Sequence, residues 1–160
     1  MATRMAVIVA LVAVAGLVIA GCGGTTGGGG SFVVDPTGGV FNVNGIIMQF
    51  PPEAVRAPVT VIVAPLAPLS STPLPVAAPT GLVAISAAQF EPAALTFAAP
   101  VTVTFPLTQT RTAGENLTLW VVQGSTWINS GHIAVVSTSG TTAVTQIDRL
   151  GVYALFVPSA

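Results

Sequence analysis

The sequence predicts an all-β domain, an antiparallel β-sandwich, preceded by an apolar leader and a glycine-rich tether. Prolines are scattered along the chain after the leader, and no window keeps the 3.6-residue period of an amphipathic helix. Short runs of alternating apolar and polar residues recur instead, separated by Gly, Pro and Asn. Many of the alternating residues are Thr and Val, whose branched side chains fit a pleated surface.

The leader has the order of a secretory signal. Met1 to Arg4 carries one positive charge, Met5 to Ile19 is almost wholly apolar, and the small residues Ala20 and Gly21 precede Cys22. The run Ile19-Ala20-Gly21-Cys22 resembles the lipobox of bacterial lipoproteins. The resemblance implies a helical signal peptide over 1–21, cleavage between Gly21 and Cys22, and palmitate-type acyl chains on the Cys22 sulfur.

An alternative for the leader is an uncleaved transmembrane anchor, because an apolar stretch of about 17 residues is the shortest that spans a bilayer. Cys22 is the only cysteine, so no disulfide is expected. The expected partner is membrane lipid, held through acylated Cys22. Gly23 follows Cys22 where Asp often signals inner-membrane retention, which favours the outer membrane or the cell surface.

The tether comprises residues 22–31 and is mostly glycine. A stretch of this composition buries little apolar area and is typical of a flexible linker. The remaining residues, 32–160, have the length of one domain.

The charge of the chain is low and slightly negative. There are 4 Lys and Arg residues against 5 Asp and Glu residues, and Lys is absent. A nucleic-acid binder needs a basic stripe, so nucleic acid is excluded as a partner.

Eleven segments are predicted as strands, and the last of them, apolar on both faces, is predicted to be interior. The run 65–81 contains five prolines and is predicted to be a surface crossover without a central strand. The strands in chain order are Val40–Val43, Ile46–Phe50, Val59–Ala64, Leu82–Ser86, Gln89–Phe90, Pro100–Pro106, Leu117–Gln123, Thr126–Asn129, Ile133–Ser137, Thr142–Ile147 and Val152–Val157.

Residues 117–129 are predicted to form a hairpin around Gly124-Ser125, a suitable two-residue turn. That register places Trp120 and Trp127 as diagonal neighbours on one face. If the face is open, the two indoles are candidate contacts for a sugar ring or a protein partner. If the proline-rich crossover or another strand covers them, their role is structural.

Four phrases, taken in order, resemble the ZU-five family, a β-sandwich of receptors, ankyrins and bacterial surface proteins. They are Gly45–Val55 with its Pro-Pro corner, Phe90–Phe97, Pro100–Pro106 and Gly151–Ala154. Glu53 replaces the corner Gly of the family, so strain is expected there if its φ is positive. Some members cut themselves at His-Phe-Ser. Here Arg149-Leu150-Gly151 lacks the nucleophilic oxygen, so self-cleavage is not expected.

Candidate catalytic and metal groups are sparse. A triad could in principle form from Ser130, His132 and Asp148, but Gly131-His132 is typical of an exposed hairpin loop. One histidine, without a free cysteine, predicts no zinc site, and no cofactor motif is present.

The sequence therefore predicts a non-enzymatic, lipid-anchored module of the cell envelope that binds a partner or has a structural role. Two alternatives remain. One is an envelope glycan-binding protein that uses Trp120 and Trp127. The other, a self-processing or hydrolytic domain, requires a nucleophile and base that the sequence does not show.

Overall fold

The structure is a computed structural model that describes residues 28–160. The signal peptide predicted over 1–21 and the lipid-attachment residue Cys22 lie outside the described residues. From residue 28 onward there is no helix that is long and apolar enough to cross a membrane.

Ten strands form the described part of the chain. They are β1 Gly30–Val34, β2 Gly39–Val43, β3 Ile46–Phe50, β4 Val59–Pro65, β5 Leu82–Glu91, β6 Thr96–Pro106, β7 Asn116–Gln123, β8 Thr126–Val136, β9 Thr142–Arg149 and β10 Val152–Pro158. All pairings between neighbouring strands are antiparallel. The prediction of an all-β, antiparallel domain is confirmed.

The strands make one continuous sheet in the order β1-β4-β5-β10-β7-β8-β9-β6-β3-β2. The sheet curls until its two edge strands meet, so it is nearly closed and barrel-like. The edges meet through side chains: the rings of Phe32 on β1 and Phe41 on β2 stack with centroids 4.1 Å apart. The amide Nδ2 of Asn44 also donates to the carbonyl oxygen of Gly28 at 2.7 Å.

One large hydrophobic core fills the inside of the curled sheet. Alternate residues of each strand point inward, as the pleat requires. The inward residues of β10 are Tyr153, Leu155 and Val157, and its outward residues Ala154 and Phe156 are buried as well. The prediction that β10 is an interior strand, apolar on both faces, is confirmed.

The connections between strands alternate between two ends of the sheet, because each strand runs opposite to the one before it. We call the end where β1 begins the near end; its connections are 44–45, 66–81, 107–115 and 137–141. We call the opposite end the far end; its connections are 35–38, 51–58, 92–95, 124–125 and 150–151.

The structure corrects the prediction in three places. Gly30 and Ser31, assigned to the tether, begin β1, which was not predicted and pairs with β4. Gly30 and Ser31 join β4 through backbone groups alone. On the other side of β1, a Cβ on Gly30 would come within 2.7 Å of Val43 Cγ1 on β2, so glycine permits the close approach of the two edge strands. β5 and β8 are each continuous where two short strands were predicted.

Gly131-His132 is also not a hairpin loop. β8 runs through it as a bulge, in which residues 130–132 stand opposite Leu119 between the pairs Thr118↔Ile133 and Trp120↔Asn129. Gly131 has φ 82°, a left-handed conformation that accommodates the extra residues.

Candidate functional site

The β7–β8 hairpin has the predicted register. Gln123 lies opposite Thr126, Val122 opposite Trp127 and Trp120 opposite Asn129. Gly124 has φ 62° at the first central position of the turn, where a side chain would be strained. Trp120 and Trp127 therefore lie on the same, outer face of the sheet, while Leu117, Leu119, Val121 and Ile128 face the core, as predicted.

An aromatic cluster forms on this outer face around Phe156 of β10. The Phe156 ring meets Trp127 edge to face at a centroid distance of 5.1 Å and Trp120 in the same manner at 6.1 Å. Edge-to-face pairs at these distances are favourable beyond the area they bury. Phe156 was not singled out from the sequence, although its place in a strand apolar on both faces marked it as buried on one side or the other.

The proline-rich segment 66–81 covers this cluster. The indole Nε1 of Trp127 donates to the carbonyl oxygen of Val76 at 3.1 Å, and Trp127 is only 8% exposed. Leu66 and Leu74 of the segment pack in the same cluster, and Leu66 N–H donates to Ala87 O at 3.0 Å. The result is a second, smaller hydrophobic core outside the sheet.

The sequence left open whether the face with Trp120 and Trp127 is open or covered by the proline-rich crossover. The structure shows the covered arrangement. An open face with two exposed indoles is absent, because Val76 satisfies the Trp127 N–H and the segment removes its ring from solvent. Trp120 is half-buried. Four prolines in the segment remove backbone donors, so it covers the sheet with side chains and does not add a strand.

Ser130, His132 and Asp148 do not assemble into a triad. The Ser130 hydroxyl donates to the carbonyl oxygen of Leu119 at 2.7 Å and accepts the backbone N–H of His132 at 3.2 Å. The His132 side chain is half-buried beside Thr145 and Gln146 on the outside of the sheet. Asp148 is exposed near the end of β9. Within residues 28–160, no three His, Cys, Asp or Glu side chains converge on a common point.

The turn between β9 and β10 contains Gly151, where the self-cleaving pattern has serine. Gly151 O accepts the backbone N–H of Phe90 at 2.8 Å. The hydroxyl of Tyr153, which is 2% exposed, donates to Arg149 O at 2.9 Å and closes the turn. Burial raises the pKa of Tyr153 above its ordinary value of 10.0.

Charged side chains are distributed unequally between the two ends, which sequence reasoning did not detect. Among the described residues, the near end holds only Arg111 and Glu115, which form an ion pair. The Arg111 hydrogen bond is the main cause that lowers the pKa of Glu115. The far end holds six charged residues, which are Asp35, Glu53, Arg56, Glu91, Asp148 and Arg149. Counting strand connections would have shown this, since alternate connections share an end.

No protein-family model matches the sequence, and a comparison with curated proteins gives no significant match.

Proposed function

We propose that this chain is a non-enzymatic, lipid-anchored module of the bacterial cell envelope, favoured at the outer membrane or cell surface, which binds a partner or has a structural role. One observation carries the proposal: the lipobox-like run ends at Cys22, only eight residues before the first strand of the curled sheet begins at Gly30. A folded domain that begins so soon after an acylation sequence has the layout of a protein held close to a membrane by its amino terminus.

We also propose that the fold is a ZU-five-like sandwich, its two layers being opposite sides of the curled sheet. Backbone conformation supports the resemblance. Glu53, which replaces the corner Gly of the family, has φ 63°, and Ala94, which precedes the aliphatic Leu95 where the family has Gly, also has φ 63°. Positive φ is uncommon for residues other than glycine. Two such residues at the two glycine positions therefore favour the family's turns with different side chains.

The glycan-binding alternative has less support. Stacking on a sugar requires an open indole face, and Trp127 is held beneath segment 66–81 by its bond to Val76. A hydrolytic or self-processing role also lacks support, because the Ser130 hydroxyl is bonded to backbone groups and Gly151 has no side chain. If the module binds a partner, we propose a protein as the partner class.

The test is the intact mass of the protein produced in a bacterial host, compared with a Cys22→Ser variant. We expect the wild-type chain to lack residues 1–21 and to carry the mass of two or three acyl chains on Cys22. The variant should carry none, because serine has no thiol to acylate. A wild-type protein with an unmodified Cys22 thiol, or with residues 1–21 retained, would refute the proposal.

A further inference from the structure

We propose that the near end of the sheet is the surface that lies against the lipid bilayer, with the far end directed away from it. This inference rests on the lipid attachment proposed for Cys22. It adds which surface of the domain meets the membrane and which surface is left for a partner.

The path of the chain places the near end closest to the anchor. β1 begins at Gly30 on this end, and Asn44 of the β2–β3 turn holds the Gly28 carbonyl oxygen there. Six peptide units separate Gly28 from Cys22, and a fully extended chain of that length spans at most about 20 Å. The acyl chains therefore cannot be farther than this from the near end.

The near end is also the end that approaches lipid at the lowest electrostatic cost. The side chains of its connections are mainly Thr, Ser, Pro, Ala and Leu, and among residues 28–160 its only charged side chains are those of Arg111 and Glu115. These two groups neutralise each other in a local ion pair, and Glu115 also accepts the backbone N–H of Thr112. Moving this end against headgroups desolvates no unpaired side-chain charge.

The far end has the opposite character. Four carboxylates and two arginines give it a net charge of −2, and all six side chains are exposed or partly exposed. An anionic leaflet repels such an end, and the repulsion extends over about a Debye length, roughly 8 Å at physiological ionic strength. A short tether alone would let the domain rotate, and the charge distribution selects one orientation.

Two labelled positions on the full lipidated protein test the orientation. Thr138 and Ser125 are exposed turn residues at opposite ends of β8, which has 11 residues. Along the strand they are separated by as much as about 35 Å. Each is changed singly to cysteine, which is the only free thiol when Cys22 is acylated, and is labelled with a donor fluorophore. Energy transfer is measured to an acceptor on the headgroups of vesicles made from neutral and anionic lipids.

We expect at least twofold more efficient transfer from Thr138→Cys than from Ser125→Cys. Equal transfer from both positions would overturn the inference, since it would mean free rotation or a domain lying on its side, for example on Ile133, Val135 and Val144. Stronger transfer from Ser125→Cys would also overturn it. Flotation of the same samples with the vesicles separates a wrong orientation from a failure of lipid attachment.

A matched pair of charge variants tests the cause. Gln109 at the near end and Gln123 at the far end are both exposed, and each is changed to Glu, which keeps the shape of the side chain. Gln109→Glu should lower the transfer from Thr138→Cys on anionic vesicles, and added salt should restore it. Gln123→Glu should leave that transfer unchanged. Equal effects of the two variants would contradict the electrostatic account.

Discussion

Removal of the Trp127 indole should detach the proline-rich segment from the sheet. Trp127 is 8% exposed, and its indole N–H donates the hydrogen bond that joins the hairpin to the carbonyl oxygen of Val76. A buried Trp removes about 150–250 Å² from water. At about 25 cal/mol per Å², this corresponds to about 4–6 kcal/mol as an upper estimate.

The measured loss for Trp127→Ala should be about 3–5 kcal/mol, because the segment collapses partly into the space that is left. Trp127→Phe keeps most of the ring contact with Phe156 but leaves Val76 O without its donor, and should cost about 1–3 kcal/mol. Trp120→Ala is the matched control on the same face. Trp120 is half-buried and has no comparable hydrogen bond among the described residues, so its loss should be smaller.

The assay is urea unfolding of non-acylated Cys22→Ser protein, followed by far-UV circular dichroism and accompanied by limited proteolysis. We expect Trp127→Ala to be cut within 66–81 before any other site, since the sheet itself keeps its own large core. A loss below about 0.5 kcal/mol, the size of an ordinary surface substitution, would refute the reasoning. So would cleavage of the segment at the wild-type rate.

Two further predictions concern the turns at the far end. Tyr153→Phe should lower the free energy of unfolding by about 1–2 kcal/mol, because Arg149 O loses its donor. The pKa of Tyr153 is raised in the folded protein, so the stability that its neutral hydroxyl contributes is complete below pH 10 and is lost as the pH rises through the folded pKa. The free energy of unfolding of the wild-type protein should therefore fall more steeply above pH 10 than that of Tyr153→Phe. Equal pH dependence of the two proteins would exclude this cause. Glu53→Gly should raise stability by about 0.5–1 kcal/mol relative to Glu53→Ala, because a Cβ is strained at φ 63°, and calorimetry showing no gain would contradict it.

Much of the fold could be predicted from alternation alone. The β7–β8 register followed from the requirement for glycine at residue 124 and from the apolar face of β7. The start of β1 could not be predicted, because Gly30 and Ser31 pair through their backbone and have no apolar side chain. The rest of the strand, Phe32-Val33-Val34, is an apolar run that was not recognised as a strand because of its short length after the glycines. The bulge at Gly131 was mistaken for a turn because glycine at positive φ serves both.

The exposure of the Trp pair could not be decided from the sequence. It depends on where segment 66–81 lies, and that contact joins residues 51 positions apart in the chain. The charge asymmetry likewise depends on topology: Asp35 and Arg149 are distant in sequence and share the far end only because strand directions alternate.

The meeting of β1 and β2 through stacked rings has a mechanical consequence. A pull on the amino terminus acts along the axis of β1, which is hydrogen-bonded to β4 alone. The five residue pairs from Gly30↔Val63 to Val34↔Val59 are then sheared together, and on the other side the contact of Phe32 with Phe41 and the hydrogen bond from Asn44 to Gly28 resist. Under tension β1 is therefore the first strand to slip, and the other nine strands remain joined to one another by backbone hydrogen bonds.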